Sequence, residues 1–527
     1  MPITPPLYGH KRNLFLNFIF SFFIAFRALV RGPKNTCYAV SMKIDNIDIN
    51  KTLEEAKAQL DKEKDISPAF KSLLKILFVV IDLLINRLTL NSKNSSKPPV
   101  ADPNRLKKPK GKSDKNCGGQ EGHDGSNLKP VAKPDEIINL PIDKKNLPKG
   151  RYHEVGYDAR QVIHLRISRH VIEYRAQILE NEKGNQWVST FPEFVTRPVQ
   201  YGQDIKAHSV YLSQWQLLPY NRIEDYFHNE VNIFISKGTL FRFNQEAYRL
   251  LETFDAWIKR KLTQSTILHV DETGINVNGK LKWLHVTANG QWTHFYPHNN
   301  RGNEATDEIG ILPNFKGILC HDHWKPYFIY QCLHSLCNAH HLRELERAFE
   351  QDKQSWAKLM KEILLEMNTI MQEAGGKVSE KILENYCKRY REILENGKKE
   401  CPLPTPELLP NGKIKKRFKK SKARNLLERL INFEKETLRF MEEIDIPFTN
   451  NLAENNIRMT KVQRKISGCF RSMDGARYFC RIRSYISTCR KNDISATDAL
   501  QMLFEGKTPE FMLDSDWEKL IAFEGAE

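Results

Sequence analysis

Three acids stand out by position in the chain: Asp271, Asp322 and Glu454. Ile267 to Val270 reads as a short buried strand ending in Asp271-Glu272-Thr273-Gly274, and Gly317 to Cys320 as a later strand ending in His321-Asp322-His323-Trp324. Glu454 opens a helix that begins after Pro447-Phe448-Thr449-Asn450-Asn451. Carboxylates at the ends of separate strands can converge on one sheet edge. Hard oxygen ligands of this kind suit Mg²⁺ or Mn²⁺, with water in the open positions. Two such ions about 4 Å apart hold the attacking and leaving oxygens of an in-line phosphoryl displacement. The three acids are thus candidates both as catalytic residues and as metal ligands. Arg458, Lys461 and Lys465 follow Glu454 on one helix face and would suit DNA phosphate. The plainer alternative is a salt-bridged helix surface. Glu272 turns to the opposite face if its strand continues, and ranks as a backup ligand only.

The surrounding elements must bring these acids together. Lys280 to Thr287 and Gln291 to Tyr296 alternate and meet at Asn289-Gly290, a hairpin signal. A short helix is expected over Asn303 to Ile309, a strand near Ser335 to Asn338, and a helix from His340. Antiparallel strands followed by alternating strand and helix open a ribonuclease H-like sheet. The expected fold is therefore α/β, with a ribonuclease H-like core over 263–344 and 446–490, a helical insertion over 345–445 and a tail over 491–527. Cys332, Cys337, His340 and His341, with His321 and His323 nearby, match no standard zinc spacing, and reduced core cysteines beside structural histidines are the simpler reading. Trp324 and Tyr327 are candidates either for stacking on a displaced base or for core packing.

The chain has 527 residues and a net charge of +17, which points toward polyanionic partners. Its ten cysteines contain no CxxC pair, so a secreted disulfide scaffold is excluded and a reducing compartment expected. Leu14 to Phe26 is apolar but too short to span a bilayer. Translation is expected to begin at Met42, with residues 1–41 a non-native extension and no membrane attachment. Phe70, Leu77 and Leu84 alternate with Leu74, Ile81 and Leu88 in a heptad seam within a helical region over 42–92, which would pair two subunits or pack on its own chain. Residues 93–135 read as a basic linker or arm, with Arg105, Lys107, Lys108, Lys110, Lys112 and Lys115 clustered for phosphate contact. Gln161 to Ile167 and Val171 to Ile178 suggest a small β-rich module over 136–200. Residues 201–262 look helical, with a helix-turn-helix pattern whose second helix carries Lys237, Thr239, Arg242, Asn244 and Gln245. A second basic run includes Lys413, Lys416, Arg417, Lys420 and Arg424.

The strings HVDETG, HDHWKPY, LCNAHHLREL and PFTNNLAENNIRMTKVQRKISGCFRS, in that order, resemble the DDE transposases of the insertion-sequence 66 family. NSSKPP and GGQEGH are similar to that family's upstream signatures, so the resemblance covers roughly residues 60–510. It implies Mg²⁺-dependent cutting and joining of DNA at transposon ends, and motif by motif it puts Asp271, Asp322 and Glu454 in the places of the metal-binding triad. It also implies transposon-end and target DNA as partners, a homodimer on DNA, small accessory proteins of the same element, and a cytoplasmic, nucleoid-associated location. Two features depart from the pattern. No cysteine occurs over 118–319, so the family's small zinc module is not expected here and that region must fold without it. Asn455 stands where many members carry Arg after the catalytic Glu, which puts that contact in doubt. A DNA-binding relic without catalysis, and a nuclease that cuts without joining, remain the rival readings.

Overall fold

A computed structural model describes residues 43–44, 47–63, 66–95, 102, 128–143, 145, 147–153, 155–403 and 420–524. The 1–41 extension with the Met42 start, the cluster Arg105, Lys107, Lys108, Lys110 and Lys112, and Lys416 with Arg417 lie outside the described residues. The chain divides into two compact units, with boundaries at 252/253, 492/493 and 513/514. One unit takes the described residues before 103, 253–492 and those from 514; the other takes 128–252 and 493–513.

A two-residue strand pair, β1 (Lys43–Ile44) and β2 (Ile47–Asp48), precedes helices α1 (Ile49–Lys62) and α2 (Pro68–Leu88). The Ser67 hydroxyl accepts the Phe70 N–H, and Pro68 fills the first helical position, where no N–H is needed. The expected heptad seam is divided between two faces. Ile81 and Ile85 are buried with Leu53 of α1, and Phe78 packs against them. Phe70, Leu73, Leu77, Val80 and Leu84, spaced by alternating threes and fours, form an exposed apolar stripe.

In the second unit, the two strand-like runs over 161–178 are not strands, apart from the first residue of β3. A hairpin of β3 (Ile178–Glu180) and β4 (Gln186–Val188) is the regular structure among the described residues of 128–200, and none of those residues is buried. The expected β-rich module with its own core is therefore replaced by exposed chain and one hairpin. Beyond it, α3 (Gln203–Val210), α4 (Tyr220–Val231) and α5 (Lys237–Leu250) follow. Val210, Ile223, Phe227, Leu240, Phe243 and Ala247 are buried among them. Asn232 takes the left-handed conformation that ends α4, and Ser236 caps α5 by accepting the Thr239 N–H at 3.2 Å. The helix pair with its turn is present.

Helix α6 (Glu252–Thr263) falls, past its first residue, in the first unit rather than with the helices expected over 201–262. The sheet follows: β5 (Ile267–Val277), β6 (Lys280–Ala288), β7 (Thr293–His298), then α7 (Asn303–Ile309), β8 (Ile318–His321) and β9 (Leu333–Leu336). Its order is β7-β6-β5-β8-β9, with β7, β6 and β5 antiparallel and β8 and β9 parallel to β5. Strand β5 does not stop at Asp271 but runs on to Val277. Asn278 and Gly279, at φ 47° and 77°, then fold it back in the turn geometry that matches strand twist. At Gly317 a Cβ would lie 2.2 Å from the Thr266 carbonyl oxygen, so only glycine lets β8 start this close to β5.

Helix α8 (Asn338–Glu350) leads into α9 (Ser355–Glu373), α10 (Glu380–Glu400), α11 (Lys422–Asn432) and α12 (Glu434–Glu442). These share a core that includes Trp356, Met360, Leu364, Tyr390, Leu427 and Leu430. The chain returns as α13 (Asn451–Ser467) and α14 (Met473–Lys491). Edge strand β7 is covered by α14, whose Ser484 and Thr488 hydroxyls accept the Phe295 and Thr293 N–H groups. Helix α15 (Ala496–Phe504) packs on α3 in the second unit, and α16 (Ser515–Glu524) ends the described chain. Among the described residues, no helix is long and apolar enough to cross a membrane.

Candidate active site

Strand register brings the first two acids together. Parallel pairing sets Ile267 against Ile318 and His269 against Cys320. The same offset carried two residues further sets Asp271 beside Asp322, where β8 has just ended and β5 continues. Asp271 Oδ1 accepts the Glu272 N–H at 2.8 Å, and Asp322 Oδ1 accepts the Trp324 N–H at 3.2 Å. Burial pushes the Asp271 carboxyl up to about 8; the Glu272 charge adds to this, the Glu272 N–H opposes it, and Asp322 and Glu454 raise it further. Burial and then Glu272 push Asp322 up to about 6, against the Trp324 N–H, Arg301 and Arg429. Burial and neighbouring carboxylates raise both acids, and a multivalent cation would offset that uncompensated charge.

Glu454 arrives from far along the chain, and Asn450 fixes its approach. The buried Asn450 side chain donates from Nδ2 to the Val270 carbonyl at 2.7 Å, while its Oδ1 lies 2.8 Å from His269 Nδ1. Its backbone N–H donates to Cys337 Sγ at 3.1 Å. The N-terminus of α13 is thereby tied to β5 one residue before Asp271. Glu454 sits in the first turn of that helix, where the helix dipole favours a carboxylate. Its Oε1 lies 3.7 Å from His340 Nδ1 and 3.9 Å from Cys337 Sγ.

Glu272 is not a free ligand. Its Oε1 accepts from Arg301 Nε at 2.8 Å and also from Arg301 Nη2, and its Oε2 accepts from the Tyr327 hydroxyl. The Arg301 guanidinium lies between two indoles, 4.9 Å from Trp283 and 4.5 Å from Trp324. Tyr327 is buried, as core packing requires, whereas Trp324 is half-buried against Arg301. Sequence reading missed Asn450 and Arg301, and weighed His340 for zinc only to favour a structural role. Asn450 carried a signal, since an Asn pair just before a helix invites a capping role; Arg301 sits alone in a loop and carried none.

Among the predicted DNA contacts, Arg458, Lys461 and Lys465 are exposed on α13. Lys461 is near enough to feel Asp271, although burial and then Arg464 lower its ammonium. Arg242 is exposed on α5, but Asn244, from the same helix, is buried and holds Tyr220 and Leu240. Of the second basic run, Lys420 and Arg424 are both paired with Glu428. Of the cysteines and histidines considered for zinc, the structure joins Cys337 and His340, with Glu454 as a third donor; His321 lies instead against His334, and His341 against Asn338.

Strand β5 and the end of β8 thus draw Asp271 and Asp322 together, and basic helix α13 brings Glu454 near Asp271. The Transposase IS66 family matches residues 198–478, just over half of the chain. The chain belongs to that family, and its partner is DNA. Residues 44–129 match a family of unknown function (DUF6444). No curated protein matches the chain.

Proposed function

We propose that the protein cleaves the ends of its own insertion sequence and joins the freed 3′-hydroxyl to target DNA, on a ribonuclease H-like core. The observation that carries this is the β5–β8 pairing that leads up to Asp271 and Asp322, with the Asn450 clamp holding the start of the helix that carries Glu454. Water first hydrolyses the phosphodiester at the transposon end; the 3′-oxygen then attacks a target phosphorus and expels the target's own 3′-oxygen. Divalent cations of the Mg²⁺ or Mn²⁺ class, bound by Asp271, Asp322 and Glu454, would supply charge neutralisation and oxygen activation. The upward shift of both buried aspartates, caused first by burial and then by Glu272, supports this fit. Arg458, Lys461 and Lys465 line the same helix and are placed to hold phosphate. Arg242 on α5 is a second DNA contact, and the arm from Arg105 to Lys112, with Lys416 and Arg417, adds contacts that read no sequence. The exposed α2 stripe supports pairing of two copies on DNA, because solvent-facing heptads are stable when a second helix covers them. Action at the nucleoid follows from the substrate.

The test is cleavage and joining of labelled element ends by the full chain with Mg²⁺ or Mn²⁺. Asp271→Asn, Asp322→Asn and Glu454→Gln should each lower cleavage by about a thousandfold or more while end binding persists. Retained cleavage in any variant removes that residue from the triad. Cleaved but never joined ends would mark a nuclease, and binding without cleavage a relic.

A further inference from the structure

We infer that Cys337, His340 and Glu454 form a binding site for a thiophilic divalent cation of the Zn²⁺ class, which shares Glu454 with the acid triad. One donor atom from each of the three lies within 4.8 Å of the other two. His340 Nδ1 and Cys337 Sγ stand 3.7 Å and 3.9 Å from Glu454 Oε1, close to the spacing of tetrahedral ligands. With Zn–N near 2.0 Å and Zn–S near 2.3 Å, such ligands stand about 3.3–3.6 Å apart, so the two pairs that include Glu454 need a contraction of only a few tenths of an ångström.

Two further features prepare the donors. Cys337 is the N-cap of α8, and its sulfur accepts the Asn450 backbone N–H at 3.1 Å. That N–H fixes where the sulfur sits, and the sulfur ligates as the thiolate once its proton has left. His340 Nδ1 is buried and makes no hydrogen bond, which leaves it available to ligate beside Glu454 Oε1. Sulfur and imidazole donors prefer Zn²⁺ to Mg²⁺. The site is therefore distinct in chemistry from the all-oxygen pair at Asp271 and Asp322, although it draws on the same glutamate. Binding exchanges a proton for the metal: the Cys337 S–H bond breaks, the sulfur bonds the cation and the proton leaves to solvent.

The consequence rests on the transposase reading. A cation here withdraws Glu454 from the acid triad, so Zn²⁺ should inhibit cleavage supported by Mg²⁺. Co²⁺ serves as the optical probe on the full chain. A near-ultraviolet cobalt–thiolate absorption should appear on titration, disappear in Cys337→Ser and shift to at least tenfold weaker Co²⁺ affinity in His340→Gln. His340→Gln, with a half-buried side chain that makes no ring hydrogen bond, should melt like the parent, which covers the chance that Cys337→Ser misfolds. Asp322→Asn should keep the absorption. No absorption, or an absorption unchanged in both variants, overturns the site. In the activity arm, the ratio of cleavage with and without Zn²⁺ should rise in His340→Gln. Cobalt binding without any Mg²⁺-supported cleavage would sink the transposase reading and leave the site standing; cleavage without cobalt binding would sink the site alone.

Discussion

Residues 161–178 and 267–286 have similar apolar patterns and opposite fates. In the first, Leu165 is 84% exposed, and Val162, Ile163, Val171 and Ile172 are exposed with it. In the second, Leu268 is 0% exposed, and Val270, Leu284 and Val286 are buried beside it. Both segments are rich in β-branched residues. They differ in what joins the runs. Ser168-Arg169-His170 lacks the Asn-Gly type of pair that makes a tight hairpin, whereas Asn278-Gly279 turns β5 directly onto β6. The second unit shows the same rule at short range. Its hairpin forms where Asn181 accepts the Lys183 and Asn185 N–H groups and Gly184 takes φ 78°. Apolar alternation makes a strand available, but turn chemistry decides whether it finds a partner.

The difference can be broken or sharpened by substitution. Asn450→Ala should have the largest effect, because it strips partners from Val270 and His269 and releases α13 from β5. We expect a loss of about 3 kcal/mol in stability and at least about a hundredfold in cleavage, read by melting and by end-cleavage assay. Leu268→Ala should cost about 2–5 kcal/mol, since it leaves a cavity in a closed sheet. The effect of pH comes next. Asp271, at about 8, and Asp322, at about 6, lie above the ordinary 3.8, so their contribution to metal-free stability is full in acid and lost as pH rises through 6 and 8. The melting temperature of Asp271→Asn should therefore gain on the parent between pH 6 and 8 in chelator, and Mg²⁺ should close the gap. Leu165→Ala, the same chemical change as Leu268→Ala, should shift stability by less than about 0.5 kcal/mol. A cost near that of Leu268→Ala would mean that residues 161–178 are covered in the working protein.

Much of the site was legible because its acids sit at points fixed by chain pattern. The Asn289-Gly290 hairpin, the α7 helix and strands β8 and β9 lie within a residue or two of their expected places. The extension of β5 past Asp271 was not legible, since Thr273-Gly274 looks like a stop and the true turn comes at Asn278-Gly279. The partners of Glu272 were hidden for another reason. Arg301 and Tyr327 meet it across 29 and 55 residues, and no local spacing records such a meeting. The split of the α2 seam was beyond reach as well, because a helix apolar on several faces does not reveal which face its own hairpin takes.

The clamp around Asn450 has a bearing on how this chain tolerates change in length. The Asn338 N–H donates to the Phe448 carbonyl at 3.1 Å, and the Asn450 N–H meets Cys337, so the outgoing and incoming strands of the long helical excursion are stapled at its base. Ends held together in this way uncouple Glu454 from whatever lies between them, since closing a longer loop adds little entropy cost once the base is fixed. Helices α9 to α11 form a port rather than a strut: segments added or trimmed at their outer ends would leave the third acid where it is, and a reporter or targeting domain could be spliced there without rebuilding the sheet.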